Sequence, residues 1–157
     1  MVMILGVSCI INMNKAKLGV SSDGRLMHYS VGAFIKSNDK YFLIDRVSVP
    51  LGFASVAGHV DNNEDFDSAL VREVNEESGF NVVSYRLLFD EEVNQNNTCK
   101  KGVSVHHWRV YECNVSGKFK KNYRETKSTG WYSKEELKNL DLEPVWKYWF
   151  ENLGVIR

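Results

Sequence analysis

Apolar spacing changes period once along this chain, and that change limits the folds open to it. Within Glu64–Glu77, apolar residues fall at Phe66, Ala69, Leu70 and Val74. Steps of three and four residues trace one face of an amphipathic helix. The segments on either side are shorter, apolar and rich in β-branched and aromatic residues, as strands are. Two strands are expected across His28–Arg46, joined at Ser37–Asn38–Asp39, followed by a short one over Phe53–Gly58. Two more follow the helix, over Phe80–Glu92 and Val103–Val115, and a short one covers Ser128–Ser133. Asp61 or Asn63 is expected to cap the helix start, and Gly79 to end it in a left-handed conformation. Ser133 and Glu136 form a capping box for a second helix, and Pro144 suits the first turn of a last helix closing at Gly154. Strands, helix, strands, helices in that order predict an α/β fold, a mixed sheet covered by helices.

No linker or repeat divides the chain, so one domain is expected over 1–157. Asn14–Arg25, Asn94–Gly102 and Gly117–Lys127 are polar and read as loops. Val2–Ile11 is apolar but about ten residues long, short of the roughly 20 that a bilayer demands. It lacks a basic leader and a cleavage site, so it reads as a buried or swapped edge strand, which could pair across a homodimer. Twenty basic residues balance twenty acidic ones, which argues against a general nucleic-acid or membrane-surface binder. Cys9, Cys99 and Cys113 are far apart and form no CxxC pair. They indicate neither a disulfide framework nor a zinc ribbon, and a reducing cytoplasm is expected.

The end of the first helix is electrostatically odd. In "REVNEESG", Arg72 to Gly79, the acids Glu73, Glu76 and Glu77 crowd the helix C-terminus. Each opposes the helix dipole by about 0.3–1 kcal/mol, and neighbours repel by about 0.2–0.5 kcal/mol per pair. They share an arc of about 100°. Taken alone, "EVNEE" is an ordinary solvated acidic face. Around a hard divalent cation such as Mg²⁺ or Mn²⁺, which prefers oxygen ligands and retains waters, the same cluster becomes favourable.

The surroundings decide between these readings. Gly58 to Phe80 reads G-x5-E-x7-R-E-U-x-E-E-x-G-U, with U a bulky apolar residue: Gly58, Glu64, Arg72, Glu73, Val74, Glu76, Glu77, Gly79 and Phe80. This stretch resembles the Nudix box, and the chain is similar to Nudix (MutT-like) hydrolases over roughly Tyr29–Leu153. The resemblance implies a Nudix-type α/β/α sandwich with a mixed central sheet; residues 1–27 lie outside it as an N-terminal extension, whose apolar run is the candidate for an extra strand. It implies metal-dependent hydrolysis of a nucleoside diphosphate linked to another moiety, using Mg²⁺ or Mn²⁺. Glu73, Glu76, Glu77 and the Ala57 carbonyl would ligate the metal, and Glu73 or Glu76 would also orient or deprotonate the attacking water. Arg72 and Glu64 would form a supporting ion pair. Glu125, six residues before Trp131, is the candidate for a further ligand, with an ordinary loop glutamate as the alternative.

Several residues keep two readings. Lys118, Lys120, Lys121, Arg124 and Lys127 form a solvated basic loop or hold substrate phosphates. His106 and His107, adjacent on a strand, point to opposite faces and do not share a metal; they read as structural, or one of them faces the cleft. Phe53 packs in the core or stacks on a base. Asn63 stands where many relatives have glycine, and asparagine tolerates the left-handed conformation. A nucleotide-binding regulatory domain on the same fold is the alternative function, although such domains usually lose box glutamates. Isomerase chemistry would want a positioned cysteine, and Cys99 and Cys113 have no supporting motif.

Overall fold

A computed structural model describes residues 16–121, 124 and 126–157. The apolar run Val2–Ile11 and Glu125 lie outside the described residues. In chain order the elements are β1 (Leu18–Val20), β2 (Leu26–Ser37), β3 (Lys40–Arg46), β4 (Phe53–Ala54), β5 (Val56–His59), α1 (Phe66–Ser78), β6 (Asn81–Val93), β7 (Val105–Ser116), β8 (Thr126–Tyr132), α2 (Lys134–Leu137) and α3 (Pro144–Asn152). The hairpin β2–β3 turns at Asn38 and Asp39, both with positive φ (48° and 59°). That is the geometry a two-residue turn needs to match the twist of its strands.

The strands pair in the order β4-β3-β2-β7-β6, with β1 and β5 also on β2 and β8 on β3. β2 and β7 run parallel, while β2–β5, β3–β8 and β6–β7 are antiparallel. The sheet is therefore mixed, as expected.

Side-chain alternation along the central strands builds two apolar layers. Val31, Ala33 and Ile35 of β2 join Phe42, Ile44 and the α1 residues Ala69, Leu70 and Val74 in one core. Phe34 of β2 joins Tyr41, Leu43 and the α3 residues Trp146, Trp149 and Phe150 in the other. Helices thus cover both faces, the α/β/α sandwich. Each fully buried large apolar side chain contributes about 1.5–3 kcal/mol, so α3 is held by its aromatics. Its first residue is Pro144, and Glu143 before it makes no side-chain cap bond.

Three expectations need correction. Helix α1 is capped by Asp65, whose side chain accepts the Ser68 N–H, and not by Asp61 or Asn63. Glu64 is kept out of the helix because its carboxylate turns back to accept the Asp61 N–H at 2.9 Å, with Asn63 at φ 66°. Leu18–Val20, expected as loop, is a strand on Leu26–His28. It is short and mostly exposed, so no burial pattern marks it. Strand β8 starts at Thr126, inside the expected basic loop, because its edge continues pairing to Arg46 across a bulge. The expected capping box at Ser133 and Glu136 forms, and Gly79 ends α1 at φ 75°.

Candidate functional site

A cleft of about 410 Å³ opens between β5, the C-terminal half of α1, the segment after β3 and the loop between β6 and β7. Its α1 end is built by the acidic cluster. Arg72 Nε and Nη2 bind the two Glu64 oxygens at 2.8 and 3.0 Å, a forked pair. The same guanidinium reaches Glu73 Oε1 at 2.7 Å, Glu76 Oε2 at 3.2 Å and the His59 carbonyl at 2.9 Å. Asp61 lies 3.7 Å from Arg72 Nη2. Arg72 therefore ties the helix to the loop that enters it and to the end of β5.

Glu73 lies directly over Gly58: a Cβ added there would overlap its carboxylate. This close approach explains a glycine at the start of the motif. The Glu73 side chain is 13% exposed, against 58% for Glu76. Burial pushes the Glu73 carboxyl up to about 7 despite the adjacent Arg72, with Glu76 and Asp61 pushing the same way. The fork from Arg72 holds Glu64 below the ordinary carboxylate range. Glu77 also faces the cleft, and its Oε2 accepts the Ala57 N–H at 3.4 Å. Ala57, Glu73, Glu76 and Glu77 all line this end. A buried carboxyl with one arginine partner, beside two more acids, fits a hard divalent cation by donor chemistry.

Other lining residues come from segments distant in sequence. Arg46 Nη1 contacts Glu143 Oε2 at 3.2 Å, and burial outweighs that partner, pushing the Glu143 carboxyl up to about 7. Lys100 and Lys101 line the cleft from the β6–β7 loop. His28, His59 and His106 cluster there with Cys99. Burial lowers all three imidazoles, His59 to about 4 and His106 to about 3. His106 thus faces the cleft, while His107 on the other face binds Asp90 at 2.6 Å.

Other candidates sit elsewhere. Lys120 and Lys121 border the C-terminal end of α1, where the Lys120 N–H donates to the Ser78 carbonyl at 2.8 Å. Positive side chains there complement the helix dipole. Phe53 packs edge-on against Tyr132 at 5.6 Å, at the rim of the α3 core.

A family model described as NUDIX domain matches residues 26–153. The chain belongs to the Nudix family. It is a hydrolase acting on phosphorus-containing acid anhydrides, and Nudix hydrolases generally use divalent metals. Among solved structures, this Nudix chain is similar to a MutT NUDIX hydrolase from Burkholderia pseudomallei at 22% identity and TM-score 0.70, covering 80% of this chain and 96% of that one. It is similar to the MutT protein from Methanosarcina mazei Go1 at 20% identity and TM-score 0.66, covering 82% and 93%. A UDP-X diphosphatase aligns at 20% identity and TM-score 0.62, covering 80% and 63%. At these identities the likeness shows the fold. No curated protein matches the chain.

Sequence reasoning missed Arg46, Glu143, Lys100, Lys101 and His59 as cleft residues, and offered a cleft-facing His106 or His107 only as the alternative to a structural role. Each lies more than ten residues from the motif or on a strand whose neighbours pairing alone reveals. The one available signal was the mixed polar and apolar content of "VSVHHWRVY", which places a histidine on each strand face.

Proposed function

We propose that the chain is a metal-dependent pyrophosphohydrolase that cleaves a nucleoside diphosphate linked to another moiety, acting as one domain with residues 1–27 as an extension. The observation that supports this most is the convergence of Glu73, Glu76, Glu77 and Ala57 on one cleft that Arg46, Lys100 and Lys101 also line. These four would hold Mg²⁺ or Mn²⁺, which when bound neutralises phosphoryl oxygens and acidifies a water. Arg72 and Glu64 are positioning residues: their fork fixes the helix against the loop before it and so sets the carboxylates. Glu73, nearly enclosed against Gly58, is placed to orient or deprotonate an attacking water. Glu76, more open, suits an outer metal position or the same proton role, and the proton transfer belongs to one of the two. Arg46, Lys100 and Lys101 offer positive charge to phosphate groups lying along the cleft.

A panel of nucleotides, nucleotide sugars, ADP-ribose and oxidised deoxynucleoside triphosphates, with Mg²⁺ or Mn²⁺, tests the reading. At least one class should be split at a phosphoanhydride bond. No turnover of any of them, or Glu77→Gln turning over as fast as wild type, refutes it.

A further inference from the structure

Three imidazoles and a thiol meet along the cleft. His28 and His106 are register partners on the parallel strands β2 and β7. Ser30, two residues along β2, pairs with His59 of β5. Side chains two apart on a strand share a face, so the pairing brings three histidines together. Ring centroids are 4.7 Å apart for His28–His59, 5.6 Å for His28–His106 and 5.5 Å for His59–His106. Cys99 closes the group from the β6–β7 loop, its Sγ 3.7 Å from His28 Nδ1.

One donor atom from each of the four residues lies within 4.8 Å of every other. Tetrahedral zinc, with bonds of about 2.0–2.1 Å to nitrogen and about 2.3 Å to sulfur, sets its ligand atoms about 3.3–3.8 Å apart. Small side-chain rotations close that gap. His28 and His106 are almost fully buried, yet His106 Nδ1 has no hydrogen-bond partner. Among the described residues no carboxylate pairs with any of the three; the histidine ion pair that does occur is His107–Asp90. Buried polar groups left without partners are costly, and a shared cation would satisfy several at once.

The geometry points to a second metal site in this chain, in which His28, His59, His106 and Cys99 hold one zinc-class cation. Nitrogen and sulfur donors select a borderline-soft transition metal over Mg²⁺, whereas the oxygen donors at the α1 end do the reverse. Four protein ligands make a closed site, which is structural in character. Three ligands come from the sheet and one from the loop. Among the described residues the hydrogen bonds of the 94–104 loop stay within it or reach Val93, apart from the Cys99–His28 contact. The cation therefore staples the loop to the sheet and fixes Lys100 and Lys101 along the cleft wall.

Chelator-stripped full-length chain, titrated with Zn²⁺ in excess Mg²⁺, tests this without any assay of hydrolysis. One tight Zn²⁺ per chain is expected, and Co²⁺ in its place should give a thiolate-to-metal charge-transfer band with four-coordinate visible bands. Cys99→Ser should abolish the charge-transfer band, and Cys99→Ser or His106→Gln should each weaken Zn²⁺ binding by at least about 100-fold. Glu77→Gln should leave Zn²⁺ uptake unchanged, which separates this site from the proposed hydrolytic one. Amide exchange across residues 94–104 should slow when Zn²⁺ is added. Wild-type chain that takes up no Zn²⁺ in excess Mg²⁺, or binds Co²⁺ without the thiolate band, overturns the proposal whether or not the variants fold. So does Zn²⁺ that is lost in Glu77→Gln and kept in Cys99→Ser.

Discussion

At the α1 end of the cleft, one guanidinium serves Asp61, Glu64, Glu73 and Glu76. Elsewhere along the cleft three imidazoles pack with a thiol and have no ionic partner among the described residues. The first end has surplus negative charge and hard oxygen donors. The second is buried to half-buried and offers nitrogen and sulfur. Two regions of one cleft thus favour different cations, and neither would serve well in the other's place. Arg46 and Glu143 form a third arrangement, a buried acid whose carboxyl burial raises to about 7 despite its ion-pair partner. The contrast teaches that charge density alone does not mark a site: the α1 end is legible as excess charge, the histidine end as missing partners.

The largest effect should come from the α1 end. Glu73→Gln keeps shape but removes charge, and should cut kcat with Mg²⁺ by more than about 100-fold on whichever substrate the panel identifies. A loss under tenfold would deny Glu73 its place among the ligands.

Glu143 provides a test by pH. Its folded-state carboxyl is raised from 4.5 to about 7, so between those values the folded chain retains a proton that the unfolded chain has released. Stability from this group therefore falls as pH rises through that window and is flat above it. Unfolding in urea near about pH 5 and about pH 8 should show Glu143→Gln gaining on wild type at the higher pH, by up to roughly 3 kcal/mol. An unchanged difference between the two pH values would mean that Arg46 keeps Glu143 ionised throughout.

Gly58→Ala should destabilise the fold by about 1–3 kcal/mol and lower activity, because the new methyl meets the Glu73 carboxylate. A crystal structure of that variant with Glu73 unmoved would contradict the close-approach explanation. Arg72→Lys retains charge but loses the fork to Glu64, and a drop of about tenfold in kcat/KM is expected. Full activity would show that point charge suffices there.

The α1 end was readable because it is local. Gly58, Glu64, Arg72, Glu73, Glu76 and Glu77 fall in one stretch of 23 residues, Gly58 to Phe80, and helical periodicity places them with no knowledge of the rest of the chain. The cap was misplaced by one turn because Asp61, Asn63 and Asp65 are all competent, and the choice depends on Glu64 bonding back to the Asp61 N–H. Strand β1 was missed because an exposed strand of three residues leaves no alternation to read.

By itself the sequence determined the strand–helix–strand order, the hairpin at Asn38–Asp39, and the carboxylate-bearing helix with its terminal glycine. These follow from spacing within one element. Only the tertiary structure decided that His28, His59, His106 and Cys99 meet, and that Arg46 faces Glu143. Such meetings depend on which strands pair, in which direction and in what register. A one-residue slip in a strand turns every side chain to the other face, so no local pattern fixes those contacts. Burial then sets their chemistry, because the same carboxyl or imidazole behaves differently once water is excluded.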